Sequence, residues 1–305
     1  MIALKHTGIS VVVLLVLQAP WLETSHSQPP GSPKSDQEVS KQDAIYQSQG
    51  EDLPEGYVVD RSLLAYASIL SSEFDRSLAD LGPKDRWLDI GAGEGRAILD
   101  YYAPRYDSMH LEGRERRGKK AQAVAMSIED RRTPRWHKTA ASLEAHHIQY
   151  LFGRRLREYS LEELGHFQLI TDVIGGFSYT EYLSLFVEKV LGILDVNGMF
   201  YTLLLDVLPE YGANRTLYPD TLFLTEIANA DGSDVKVCSW LKSVTCVDVT
   251  CESRTESKRP IEIYRIKKVC NSVTVPALVS LHYKAGTPPQ RRFQLRNPSS
   301  ESRKE

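Results

Sequence analysis

From Val58 to Leu81, apolar side chains return every three or four residues, at Leu63, Ala67, Leu70, Phe74, Leu78 and Leu81, and Gly82-Pro83 closes the run. That period predicts one amphipathic helix. Beyond it, apolar runs of strand length alternate with helical stretches. RWLDI (86–90) reads as a first strand and GRAILDYY (95–102) as a helix ending before Pro104. SMHLEG (108–113) reads as a second strand and RGKKAQAVAMSIEDR (117–131) as helical. HIQYLFG (147–153) is a third strand, SLEELG (160–165) a short helix and FQLITDVIG (167–175) a fourth strand. YLSLFVEKVLGIL (182–194) is helical, Asn197-Gly198 makes a turn, and MFYTLLLDV (199–207) is a fifth strand. After residue 220, DVKVCSWLKSV (234–244) looks helical, while TCVDVTCES (245–253) and IEIYRIKKV (261–269) suit an antiparallel pair. Strand–helix repeats of this length predict an α/β fold. Its sheet is doubly wound and mostly parallel, Rossmann-like, with a C-terminal antiparallel hairpin at the edge.

The ends of the chain break this pattern. Lys5 and His6 precede ISVVVLLVL (9–17), and Ser25 and Ser27 suit cleavage before Gln28. Residues 1–27 therefore read as a signal peptide or short anchor, the run being too short for an ordinary span. Residues 28–52 are rich in Pro, Ser and Gln and read as a disordered linker. One domain over 53–287 and a disordered Arg/Ser/Pro-rich tail over 288–305 complete the organisation. Export or anchoring is expected, with a cytoplasmic chain as the alternative. Four cysteines, Cys238, Cys246, Cys251 and Cys270, lie in the last quarter. They suit one or two disulfides, with three pairings open for two bonds, or free buried thiols. The net charge of −3 argues neither for nucleic acid nor for a membrane. The stretch from Arg105 to Arg157 is locally basic, with 13 Lys/Arg against 6 Asp/Glu, and reads first as solvated helix faces and loops.

The chemistry concentrates at LDIGAGEG (88–95). A strand ending at Ile90 must turn sharply into a helix near Arg96. Glycine permits positive φ and, lacking Cβ, lets a ligand touch the backbone. Gly91, Gly93 and Gly95 thus form a bare floor at the carboxyl end of the first strand, where open α/β sheets bind ligands. The spacing is G-x-G-x-G, not the dinucleotide G-x-G-x-x-G/A, and Arg96 holds the place of its third glycine. Glu94 within the turn would repel phosphate, and no Gly-Lys-Ser/Thr follows. With Asp89, the turn suits a cationic or zwitterionic ligand.

Asp89 to Gly95, an acid, an apolar residue and then G-x-G-x-G, resembles the first motif of class I S-adenosylmethionine-dependent methyltransferases. The resemblance covers roughly residues 57–285. It implies S-adenosylmethionine as cofactor, held by Asp89, Gly91, Gly93, Gly95 and Glu112, the last at the end of SMHLE as a ribose ligand. It implies Asp172, ending the fourth strand, beside the reacting methyl. Tyr57 and Arg61, before the first helix, stand where family members close over the cofactor. LGILDVNGMFYTLL, with Gly198 in its turn, matches the family's helix, turn and fifth strand, and the terminal helix and hairpin match its last two strands. Gly153-Arg154 stands where an acid commonly meets adenine, so adenine recognition is unassigned.

The implied reaction is in-line methyl displacement, in which the protein aligns nucleophile and methyl and excludes water. Asp172 and Tyr179 are the acceptor-side candidates, with a turn cap and a packing role as their structural alternatives. VIGG after Asp172 lacks the Pro-Pro-aromatic run of exocyclic-amine methylases, and no Pro-Cys pair suits cytosine C5, so an unidentified small molecule or protein is favoured over DNA. His110, His137, His146 and His147 lack ligand spacing, and no metal is expected. GGFSYT is not a nucleophile elbow. The alternative to transfer is an exported cofactor-binding or interaction module that kept the fold and lost the activity.

Overall fold

The structure, a computed structural model, describes residues 61–70, 72–103, 121–143, 148–205, 225–254, 261–284 and 290–296. The expected signal segment, linker, Tyr57, Glu112, His110, His146 and His147 lie outside the described residues.

The single helix expected before the first strand is two, α1 (Leu63–Ile69) and α2 (Ser72–Ala79). Ser62 caps α1 by accepting the Ala65 N–H at 3.2 Å. The predicted stripe is buried through both helices at Leu63, Leu70, Phe74, Leu78 and Leu81. Strand β1 (Arg86–Ile90) leads through the glycine turn into α3 (Arg96–Tyr102).

The strand beside β1 is β2 (Gln122–Met126), inside the stretch read as helical; the strand expected at 108–113 lies outside the described residues. Ala and Met favour helices in isolation, but Ala123 to Met126 are all buried, as a parallel strand covered on both faces requires. Helix α4 (Pro134–Ser142) follows, capped by Thr133, whose hydroxyl accepts the Trp136 N–H at 3.1 Å, with Pro134 in its first turn. Then come β3 (Ile148–Leu151), the helical turn α5 (Leu161–Leu164), β4 (Phe167–Asp172), the turn α6 (Gly176–Tyr179), α7 (Leu183–Ile193) and β5 (Leu194–Leu205).

The main sheet is completed by β8 (Val247–Arg254) and β9 (Ile261–Lys268), in the order β3-β2-β1-β4-β5-β9-β8. Strands β1 to β5 are parallel, and β9 inserts antiparallel between β5 and β8. The sheet is doubly wound with the expected antiparallel hairpin at its edge. One face buries Trp87, Ala123, Ala125, Leu169 and Tyr201 against α1 to α4. The other buries Leu88, Val124, Ile170, Phe200 and Ile266 against α7 and α8 (Val237–Lys242).

A second sheet was not anticipated. Strands β6 (Thr225–Ala228), β7 (Asp234–Val235), β10 (Leu278–Lys284) and β11 (Gln290–Leu295) assemble in the order β10-β11-β6-β7. β11 falls within the tail expected to be disordered. Its alternation, with Arg291 and Phe293 buried, turns polar-looking sequence into an interior strand. Arg291 donates to the carbonyls of Phe177 at 2.8 Å and Thr180 at 2.9 Å and to the Thr225 hydroxyl at 2.9 Å, tying the small sheet to α6. Disulfides Cys238–Cys251 and Cys246–Cys270 fasten α8 and the start of β8 to the hairpin region, with Cα separations of 6.1 and 5.0 Å. They select one of the three open pairings.

Candidate functional site

The three glycines of the turn all take positive φ, +71° at Gly91, +57° at Gly93 and +79° at Gly95. Gly95 caps α3 in the left-handed conformation. Three such residues in five positions are accessible only to a glycine-rich segment. The turn is anchored on its flank, where the Ala92 N–H donates to the Met126 carbonyl at 3.0 Å and the Tyr150 hydroxyl donates to the Gly93 carbonyl.

A second bare turn packs against the first. A Cβ on Gly91 would stand 2.7 Å from Gly175 Cα, and one on Gly175 would stand 2.6 Å from the Ile90 carbonyl oxygen. The exits of β1 and β4 therefore touch backbone to backbone. Between them Ile174 is held at φ +57°, a strained conformation for a β-branched residue. Arg61 Nη1 donates to the Val173 carbonyl on one side, at 3.1 Å, and Asp172 holds the other.

The two predicted acids lie at the ends of adjacent strands behind these turns, both at 0 % exposure. Asp89 accepts from the Tyr66 hydroxyl at 3.0 and 3.1 Å and from the Thr171 hydroxyl at 2.7 Å. Thr171 in turn accepts from Trp87 Nε1 at 2.9 Å. Burial pushes the Asp89 carboxyl up to about 7, against the opposing pull of the Thr171 and Tyr66 hydrogen bonds. Asp172 spends both oxygens on the following turn, accepting from the Gly175 N–H at 2.8 Å and the Phe177 N–H at 2.9 Å. Burial raises it to about 7 as well, while those two N–H groups pull it down and the Asp89 charge adds to the rise. Burial, and after it the charge of Asp89, pushes the Tyr66 phenol well above its ordinary value.

Tyr179 ends α6, half-buried, and its carbonyl accepts from the Tyr283 hydroxyl of the small sheet at 2.9 Å. The contact binds α6 to β10.

Ser127–Asp130 follow β2 (Gln122–Met126), the strand beside β1, while Glu112 lies outside the described residues. Glu129 lies there, mostly buried and 3.3 Å from Arg131. Ile128 and Phe152 stand side by side at the exits of β2 and β3, where the Gly153 N–H donates to the Ile128 carbonyl at 2.8 Å. Both are exposed for apolar residues, at 44 % and 46 %. Arg132 lies over the rings of Tyr150 and Phe152, 5.1 and 5.2 Å from their centroids, and pairs with Asp130 at 2.7 Å. No cluster of metal-ligating residues exists among the described residues. No described helix is long and apolar enough to cross a membrane.

Sequence reasoning missed Tyr66, Thr171, Gly175 and the Ile128–Phe152 pair. The Gly-Gly after DVI was a visible signal for the second bare turn. The others follow from register across β1, β2, β3 and β4, which one sequence does not display.

No protein-family model matches the chain, and no curated protein matches it. Solved structures similar to it include the N-terminal domain of EvdMO1 with SAH bound, at 11 % identity over 75 % of this chain and 97 % of that one, with a TM-score of 0.43. An rRNA methylase from Streptococcus thermophilus aligns at 10 % identity over 65 % and 95 %, TM-score 0.38. PKMT2 from Rickettsia typhi in complex with AdoHcy aligns at 17 % identity over 54 % of this chain and 30 % of that one, TM-score 0.38.

Proposed function

We propose that the chain binds S-adenosylmethionine at the glycine turn and transfers its methyl group to an acceptor. The observation that carries this reading is the pair of bare turns in backbone contact at the exits of β1 and β4, with two buried acids behind them. That floor fits a zwitterionic, cationic ligand and disfavours a phosphate.

In this reading Gly91, Gly93 and Gly95 form the floor, and Asp89 and Asp172 supply the negative field. Glu129 takes the ribose-binding role that the sequence had suggested for Glu112, and Ile128 and Phe152 flank the base. Bound S-adenosylmethionine supplies an electrophilic methyl on a sulfonium with a good leaving group. The protein's own work is to orient it and exclude water. On the acceptor side, α6 and the small sheet clamped by Arg291 place Tyr179. Asp172 acts there through its field, since both its oxygens hold the turn. A small molecule or a protein side chain is the proposed acceptor class.

A second reading, a binding module without transfer, is favoured by one observation. The engagement of Asp172 as a turn cap leaves it no lone role as a base. The two disulfides support folding in an oxidising compartment, hence export or anchoring. A cytosolic donor would then have to reach the enzyme.

Calorimetric titration of the folded chain with S-adenosylmethionine and S-adenosylhomocysteine tests the site. Binding of either supports it, and silence from a folded sample refutes it. Labelled methyl transfer to candidate acceptors then separates the two readings.

A further inference from the structure

The two sheets end in four edge strands, and these are built differently. β3 is four residues long, β7 is two, and β10 carries an irregularity between Ser280 and His282. Short or bulged edges resist pairing with another chain. β8, the remaining edge, has none of these devices. It keeps an unbroken register with β9 over eight residues, from Val247↔Lys268 to Arg254↔Ile261. Its sequence, VDVTCESR, contains no proline and no lysine. None of its residues is buried, whereas four of the eight in β9 are. Among the described residues β8 pairs with β9 alone.

The ladder fixes what the other side of β8 offers. The Val269 N–H donates to the Cys246 carbonyl at 2.8 Å, so Cys246 faces β9. By the alternation of an antiparallel pair, Asp248, Thr250, Glu252 and Arg254 also turn their backbone groups to β9. Val249, Cys251 and Ser253 turn theirs outward. The strand is anchored on both faces. On one, Arg265 donates to the Thr250 hydroxyl at 2.9 Å and Arg254 to the Ser68 carbonyl at 2.9 Å. On the other, the Cys238–Cys251 disulfide ties its middle to α8.

Charge then selects the occupant and its register. A second β8, antiparallel about a two-fold axis normal to the sheet, keeps like faces together. Two such registers engage seven residues of each strand. One, centred on Thr250, sets Asp248 against Glu252 of the second copy, twice, and like charges directly opposite are destabilising. The other, centred on Cys251, sets Asp248 against Arg254 of the second copy, twice, and Thr250 against Glu252. These fall at the positions where cross-strand side chains approach most closely.

We infer that β8 is a docking edge for a second copy of this chain, which pairs antiparallel about Cys251 and joins the two main sheets into one. The inference is independent of the proposed cofactor site. The axis reverses strand direction between copies, and β9, β5 and β4 separate β8 from β1. The two glycine turns therefore lie on opposite edges of the joined sheet, away from the pairing.

Sedimentation equilibrium of the full chain, disulfides intact, is expected to give twice the chain mass in the micromolar range. Asp248→Arg converts both attractions into repulsions and should weaken the dimer about tenfold or more. Asp248 is exposed, so the unfolding midpoint should stay near that of wild type. Ser253→Pro removes an outward N–H, leaves the β9 ladder intact and should give a monomer. Hydrogen exchange supplies a readout at single residues. The amides of Val249, Cys251 and Ser253 are expected to be slow in the dimer and fast in Asp248→Arg, with those of Thr250 and Glu252 slow in both. A monomer throughout the micromolar range overturns the inference. So does a dimer that Asp248→Arg leaves at wild-type strength, or one in which the three outward amides exchange fast.

Discussion

Replacing Gly91 by Ala probes the contact between the two bare turns, and Gly153 provides the control. Both glycines take positive φ, +71° and +83°. For an L-residue that conformation costs about 1–2 kcal/mol. Alanine returns roughly 0.4–1 kcal/mol by restricting the unfolded chain. Gly153 has nothing within 4 Å of an added Cβ, so Gly153→Ala should cost only about 1 kcal/mol. At Gly91 the same methyl meets Gly175 Cα at 2.7 Å, with Gly175 N and C at 3.7 and 3.8 Å. The obstacle is backbone, held by Asp172 from one side, and cannot rotate away as a side chain would. Forcing the turns apart adds about 1–3 kcal/mol, for a total of about 2–4 kcal/mol. Urea unfolding at pH 7, disulfides intact and m-values compared, gives both numbers. Equal losses at the two positions would refute the packed contact between the turns.

Other outcomes follow from the same structure. Both buried acids stand above their ordinary value of 3.8, so the folded chain holds protons that the unfolded chain has lost. The contribution of these two groups to ligand-free stability should be greatest below about pH 4, fall as pH rises toward 7 and level off above it. For Asp89 alone the shift corresponds to on the order of 4 kcal/mol. Asp89→Asn should flatten the slope and gain stability at pH 8, and an unchanged slope in urea titrations at pH 5 and 8 would contradict the assignment. Arg291→Met removes the donors to Phe177 and Thr180 and should cost about 2–4 kcal/mol, with hydrogen exchange accelerating first in 176–180. Cys238→Ser with Cys251→Ser opens a link between residues 13 apart and should cost about 3 kcal/mol in urea unfolding. Phe152→Ser should weaken cofactor binding by calorimetry while leaving the unfolding midpoint nearly unchanged, because the ring is already 46 % exposed.

Much of the fold was legible because local rules and tertiary demands agreed. RWLDI, FQLITD and the run into MFYTLLL are apolar enough to be strands in any parallel sheet. The glycine turn announced itself, since three positive-φ residues in five leave few alternatives to glycine. The order of strands, helices and terminal hairpin followed from the alternation of period along the chain. Asp89 and Asp172 were visible as acids at or next to the ends of apolar runs.

Where local and tertiary demands diverged, the tertiary structure decided. QAVAM is a good helix by propensity and became β2 because burial on both faces outweighs a few tenths of a kcal/mol per residue. That strand ends at Met126, which puts Glu129 three residues beyond it at the carboxyl edge of the sheet. The second sheet gathers strands from 225–235 and 278–295, and no local period connects segments so far apart. The pairing of Cys238 with Cys251 depended on β8 passing beside α8. Asp172 could be named from the sequence, but its use as a cap depended on where Gly175 and Phe177 turned their N–H groups. Residue identity determined which chemistry was available. Register and burial, set by contacts between distant segments, determined which groups met and what state of protonation they would prefer.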